Sequence, residues 1–190
     1  FWQLERKSLI LSSIGIALLI LAHNTIAVIF LPVVILYMAL DILIAKDKLK
    51  LIYQSCSEII LGFSLSAFFW IPAIYDLQYT IFPKIQVSDW SKYFSDFNLI
   101  GLSTIFIVIS IFTLIIIGKI KVKKHRLTVL LLSVCMLSIL LSMSISSSVW
   151  NVLPVSFIQF PFRFLSITAF CISFLAACAI SVLRNQAKIV

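Results

Sequence analysis

Glycine is scarce in this 190-residue chain, at four residues. That alone excludes a P-loop, a dinucleotide-binding fingerprint and a GxxxG dimer face, each of which needs glycines at fixed spacing. Charge is thin as well: 12% of the residues are charged and only seven are acidic. The four cysteines, Cys56, Cys135, Cys171 and Cys178, all fall in apolar runs. With no CxxC and no histidine at metal spacing, they read as buried small apolar residues rather than a disulfide or metal framework. No internal repeat or low-complexity tract is visible. The serines between Ser133 and Ser148 have no Ser/His/Asp pattern around them, and membrane helices use serine for close packing, so no nucleophile is assigned.

What the chain has instead is apolar length. Hydrophobic residues make up 62%, in long runs separated by short charged segments, the makeup of an all-α, polytopic transmembrane bundle. The net charge of +8 sits in short loops rather than on one solvated basic face, which argues against a nucleic-acid partner. The chain opens on Phe and both ends lie beside apolar runs, so residues 1–190 read as a single transmembrane domain from a longer multi-spanning protein. Arg6 and Lys7 before the apolar stretch Ser8 to Ala22 imitate a signal peptide, but no small-x-small cleavage pattern follows.

A helix needs about 20 apolar residues to cross about 30 Å of hydrocarbon. The run Ser8 to Ala45 is nearly twice that and is broken only at His23, Asn24 and Thr25, so it reads as two spans with a tight turn capped by Asn24 or Thr25. The first span is short, and a re-entrant hairpin is the alternative. Four more spans read as Leu51 to Ile74, Leu99 to Gly118, Leu127 to Ser147 and Phe162 to Leu183, about six in all. Placing Arg6 and Lys7 in the cytoplasm puts 12 of the 15 Lys and Arg on that side and leaves only Lys84, Lys92 and Arg163 outside. The positive-inside rule thus gives a cell-membrane protein with both ends of this segment cytoplasmic. Trp70, Trp90 and Trp150 then fall at the outer boundary and Trp2 at the inner one, where amphipathic rings settle. Pro32, inside the second span, is expected to kink it.

In SDWSKYFSDF, residues 88 to 97, Trp90, Tyr93, Phe94 and Phe97 recur at helical spacing with polar residues opposite. That pattern predicts an amphipathic helix on the outer leaflet, N-capped by Ser88, serving as an anchor or as one wall of a lipid-access groove. The segment Ser148 to Pro161, broken by Pro154 and Pro161, is too apolar for a solvated loop and is expected to fold back on the helices.

Arg163, between phenylalanines in FIQFPFRFL (157 to 165), is the outer cation flanked directly by apolar spans. An arginine there either snorkels to the headgroups or, beside Gln159 and two proline bends, faces a cavity in which its planar fork grips a phosphate. His23 and Asn24, at the same level, either cap helices or hydrogen-bond a sugar or phosphate. Asp76 is the outer acid best placed to face an enclosed site, whereas Asp89 and Asp96 read as solvated. Asp41 and Glu58 lie toward the cytoplasmic ends of their spans, and two acids without a relay across the midplane support a proton-driven pump poorly.

Three stretches, LLILAHNTIAVIFLPVVILY (18 to 37), LSAFFWIPAIYDLQY (65 to 79) and FIQFPFRFL, resemble the bacterial and archaeal membrane family labelled 6-pyruvoyl-tetrahydropterin synthase related. Its members carry an HN pair after one span, a FWLPA-like helix end and an FPWRFL-like segment. That family is similar in turn to YfhO-type proteins and to the GT-C class of membrane glycosyltransferases, which transfer sugar from a polyprenyl-phosphate donor to an acceptor outside the cytoplasmic membrane. The resemblance marks His23, Asn24, Trp70, Pro72, Pro161, Arg163 and Phe164, with Phe162 where the family often has Trp. It implies Arg163 as the donor-phosphate residue and His23, Asn24 and Trp70 as pocket residues; the setting of the residues themselves adds Gln159 to that pocket and makes Asp76 a catalytic candidate, with the catalytic residue otherwise unassigned. The class usually carries an acid in its first outer loop. The first outer turn here has none, so that carboxylate is expected before Phe1. The implied partners are membrane lipid and a polyprenyl-phosphate-linked sugar. No cofactor or metal is indicated, and a divalent ion stays open. The alternatives are a transporter or flippase of lipid-linked saccharide and a non-catalytic membrane subunit.

Overall fold

The computed structural model describes residues 2–80, 90–121, 125–152, 158 and 160–187, and no strand occurs among them. The chain folds as two compact units, Phe1–Gln86 and Val87–Val190.

The first unit holds α1 (Trp2–Ala22), α2 (Asn24–Ile44), α3 (Lys48–Leu65) and α4 (Ala67–Leu77). The long apolar run does divide at His23, but His23 itself is the cap: its backbone is extended, and its Nδ1 accepts the Thr25 N–H at 3.1 Å. That corrects the expectation of Asn24 or Thr25, because a residue already inside the helix cannot cover the first-turn donors. Pro32 sits within α2, which continues to Ile44 as one helix. Helix α1 packs chiefly on α3, and the contact is close because α3 presents a glycine: a Cβ on Gly62 would lie 2.6 Å from Ile16 Cγ2 and 3.1 Å from the Ser13 carbonyl. Small residues permit such approach where apolar association with lipid offers no gain. Ile16, Ile20 and Ala27 form the core, with Phe69 and Trp70 packed against it.

The expected span Leu51 to Ile74 is bent by 68° between α3 and α4. The bend sits at Ser66, which is fully buried and whose Oγ donates to the Gly62 carbonyl at 3.0 Å. The Trp70 indole N–H reaches back to the Phe63 carbonyl at 2.9 Å. Carbonyls at the end of a helix need donors. A hydroxyl and an indole supply them here, so the chain can turn.

The second unit begins with a 3-10 turn, Trp90–Tyr93, followed by α5 (Phe97–Ile100), α6 (Leu102–Ile116), α7 (Arg126–Ser142), a 3-10 turn Ser144–Ser146, α8 (Ser147–Val152), a 3-10 turn Pro161–Phe164 and α9 (Leu165–Ala187). Helix α9 packs on α7 and α6, burying Ile111, Cys135, Cys171 and Leu175 completely. Cys135 and Cys171 are thus core residues as read from the sequence; Cys56 differs, being exposed, and all four thiols are free.

The expected span Leu127 to Ser147 breaks at Met143, and α7 and the segment after it meet at 82°. The corner repeats the first one's device. Ser146 Oγ donates to the Leu141 and Met143 carbonyls, and the Trp150 indole donates to Leu141 at 3.0 Å. Trp150 is consequently 4% exposed, so its ring belongs to the packing at the corner rather than to an interfacial belt.

The amphipathic helix predicted for 88–97 is not one helix among its described residues. Trp90–Tyr93 is a single 3-10 turn, and Asp96 starts a separate short helix at Phe97. The reason is non-local: the Ser95 N–H is bound to the Ser142 carbonyl at 2.7 Å, which takes it out of any helical ladder. Ser88, Asp89, Pro154 and Gln159 lie outside the described residues.

Among the described residues, two helices are long and apolar enough to cross a membrane, Asn24–Ile44 and Pro161–Arg184, and four segments are if each bent pair is one span. The remaining two apolar helices, Ser8–Ala22 and Leu102–Ile116, would rise only about 22 Å at 1.5 Å per residue, short of about 30 Å of hydrocarbon. Large apolar side chains face outward along them, with Ile116 81% exposed, as a surface in contact with lipid requires and a water-facing one disfavours.

Candidate functional site: an arginine among aromatic rings

The second unit builds its polar feature around Arg163. Phe160 is extended, and Pro161 opens the 3-10 turn, where a missing N–H costs nothing. The turn brings two donors onto one acceptor: the Ile158 carbonyl takes the Phe160 N–H at 2.8 Å and Arg163 Nη1–H at 2.8 Å. The guanidinium carbon lies 5.0 Å over the centre of the Phe160 ring, and Ser166 Oγ donates to the Arg163 carbonyl at 2.7 Å. Arg163 is half-buried. Its charge is therefore oriented by a carbonyl and a π face rather than left on a mobile stem.

The ring beneath it is itself held. Phe160 stacks on Phe162 with centroids 5.4 Å apart and planes at 11°, and meets Tyr93 at 4.7 Å. Phe164 meets the buried Trp150 edge to face at 5.9 Å. The Trp90–Tyr93 turn thus contributes to the surroundings of the arginine although it is not the predicted helix. Tyr93 and Phe160 escaped the sequence reading as members of this cluster; the alternation of phenylalanines through FIQFPFRF was the available signal. Near the same turn, Ser95 Oγ is buried without a hydrogen-bond partner among the described residues.

The other predicted site residues belong to the first unit. His23 and Asn24 are both exposed at the α1–α2 turn, with His23 Nδ1 already engaged as the cap, which places the imidazole proton on Nε2 when the ring is neutral. Trp70 uses its only side-chain donor on the Phe63 carbonyl and packs edge to face on the Phe63 ring at 6.2 Å. Asp76, in the last turn of α4, is exposed. The neighbouring phenols of Tyr75 and Tyr79 meet each other at 3.4 Å, a contact that pushes the Tyr79 hydroxyl above its ordinary range. Among the described residues, no three His, Cys, Asp or Glu side chains gather where a metal ion would sit.

Comparison with curated proteins and with solved structures finds no match. Over residues 1–190 the sequence matches one family model, and the chain belongs to that family, the 6-pyruvoyl-tetrahydropterin synthase related domain, a family of membrane proteins.

Proposed function

We propose that this chain is part of a GT-C-like membrane glycosyltransferase and that Arg163 holds the phosphate of a polyprenyl-phosphate-linked sugar, which is transferred to an acceptor outside the cytoplasm. The observation that carries the reading is the fixed guanidinium: half-buried, steered by the Ile158 carbonyl and set over the Phe160 ring. A planar fork of five donors suits a phosphate, and apolar rings around it suit the first isoprene units of the carrier. The distribution of 12 of the 15 Lys and Arg on one side supports a multi-pass topology with Arg163 on the opposite face. His23 and Asn24 are exposed in their own unit and are the residues available there to a sugar hydroxyl. The first unit offers Asp76 as a general-base candidate, but an exposed carboxylate without a positioning partner among the described residues is poorly prepared for that role.

The test uses full-length protein in lipid, with a polyprenyl-phosphate sugar and an acceptor glycan. Sugar transfer that falls about tenfold or more in Arg163→Ala, with the variant still folded, is the expected result. Unchanged transfer in that variant overturns the phosphate role. Movement of the lipid-linked sugar across vesicles without transfer replaces the enzyme with a transporter.

A further inference from the structure

The first unit contains a cavity of about 460 Å³ among α1, α2 and α3. The volume falls within the range of small-molecule pockets, about 300–1,000 Å³. Its polar wall is acidic: Asp41 comes from α2 and Glu58 from α3, and no Lys, Arg or His is among the described residues that line it.

Glu58 is the more telling of the two. It is 6% exposed, and Gln54 Nε2, one helical turn away, donates to its Oε1 at 3.0 Å. No described residue donates to Oε2. A carboxylate held among apolar helices is costly unless charge or hydrogen bonds meet it, and here the unmatched oxygen belongs to a side chain that lines an open volume. Asp41 faces the same volume with Tyr37, one turn earlier on α2. Ser12 and the buried Ser55 add hydroxyls. The rest of the lining is largely apolar and includes Ile16, Leu19, Val34 and Met38.

We infer that this cavity binds a small organic cation bearing a primary ammonium on a short apolar stem. An ammonium has three donors and no acceptor, the complement of two carboxylates and serine hydroxyls with no cation among the described lining residues. The apolar lining accommodates the stem. A bare metal ion fits less well, since calcium takes six to eight oxygen ligands at about 2.3–2.6 Å and the volume far exceeds what an ion fills. The site is independent of the phosphate reading: it lies wholly within the first unit, and its charge repels an anionic donor.

The experiment is equilibrium dialysis of radiolabelled butylammonium against the full-length protein in lipid nanodiscs, with butan-1-ol as neutral competitor. Saturable binding is expected, weakened about tenfold or more in Glu58→Gln and in Asp41→Asn and not displaced by butanol. Ser12→Phe, which keeps both carboxylates and fills the cavity, is expected to abolish it. If Glu58→Gln fails to fold, Asp41→Asn reads the same contribution. Undiminished binding in the folded variants, or displacement by butanol, overturns the proposal. So does carboxylate-dependent binding of sodium or calcium in place of butylammonium.

Discussion

The Trp70 indole N–H lies 2.9 Å from the Phe63 carbonyl, across the corner where α3 becomes α4. Trp150 makes the corresponding bond to Leu141 at the corner between α7 and α8. In both, a serine four residues before the tryptophan, Ser66 or Ser146, caps the same helix end. Replacing Trp70 by Phe keeps the ring and removes the donor. The Phe63 carbonyl then keeps the Ser66 hydroxyl, 3.2 Å away, as its side-chain donor, and stability is expected to fall by about 0.5–1.5 kcal/mol. Unfolding in mixed micelles measures it, and Trp150→Phe is expected to cost at least as much because that ring is buried. Equal stability of wild type and both variants would show that the indoles do not fasten the corners.

Gly62 makes the α1–α3 contact close. Gly62→Ala puts a methyl 2.6 Å from Ile16 Cγ2 and is expected to destabilise the first unit by about 1–3 kcal/mol. Ile16→Ala, which removes the opposing atom, is expected to recover part of that loss in the double variant. A double-mutant cycle in the same unfolding assay measures the coupling, and strict additivity would contradict the contact.

His23 combines a structural role with a proposed functional one, and two substitutions separate them. His23→Ala is expected to lose about 1 kcal/mol of stability through the vacated cap, whereas His23→Asn retains a capping oxygen. If the imidazole itself meets the sugar, His23→Asn restores stability without restoring transfer. If His23 only caps the helix, His23→Asn restores both.

Phe160 lies under the guanidinium at 5.0 Å. Phe160→Leu is expected to leave the fold intact and to raise KM for the polyprenyl-phosphate donor about twofold to fivefold, the measure of a lost cation–π contact of about 0.5–1 kcal/mol. Steady-state kinetics over donor concentration is the check. A change confined to kcat would place the ring's effect on the reacting atoms instead.

Apolar length was legible from composition, because a helix of hydrophobic residues is the only economical way to satisfy its own backbone in lipid. The positions of the helices followed from the same runs. The corners did not. The run through SLSAFFW is apolar on both sides of Ser66, and nothing local says that a hydroxyl and a distant indole will satisfy the carbonyls of a broken helix. The stretch 88–97 misled for a related reason: its helical spacing is real, but the Ser95 N–H is taken by Ser142, 47 positions along the chain. Asp41 and Glu58 were visible as acids within apolar helices. That they line one cavity depends on how α1, α2 and α3 pack, which spacing along a single helix does not encode. Arg163 stood out by its setting, whereas the ring that orients it became apparent only from the extended backbone at Phe160.

The two latched corners also carry their own optical labels. An indole bonded to a carbonyl absorbs and emits differently from one released to water, so any opening of either elbow reports itself in the fluorescence of the intact protein. Substitution of one tryptophan at a time would tell which elbow moved, and no attached dye would perturb the fold.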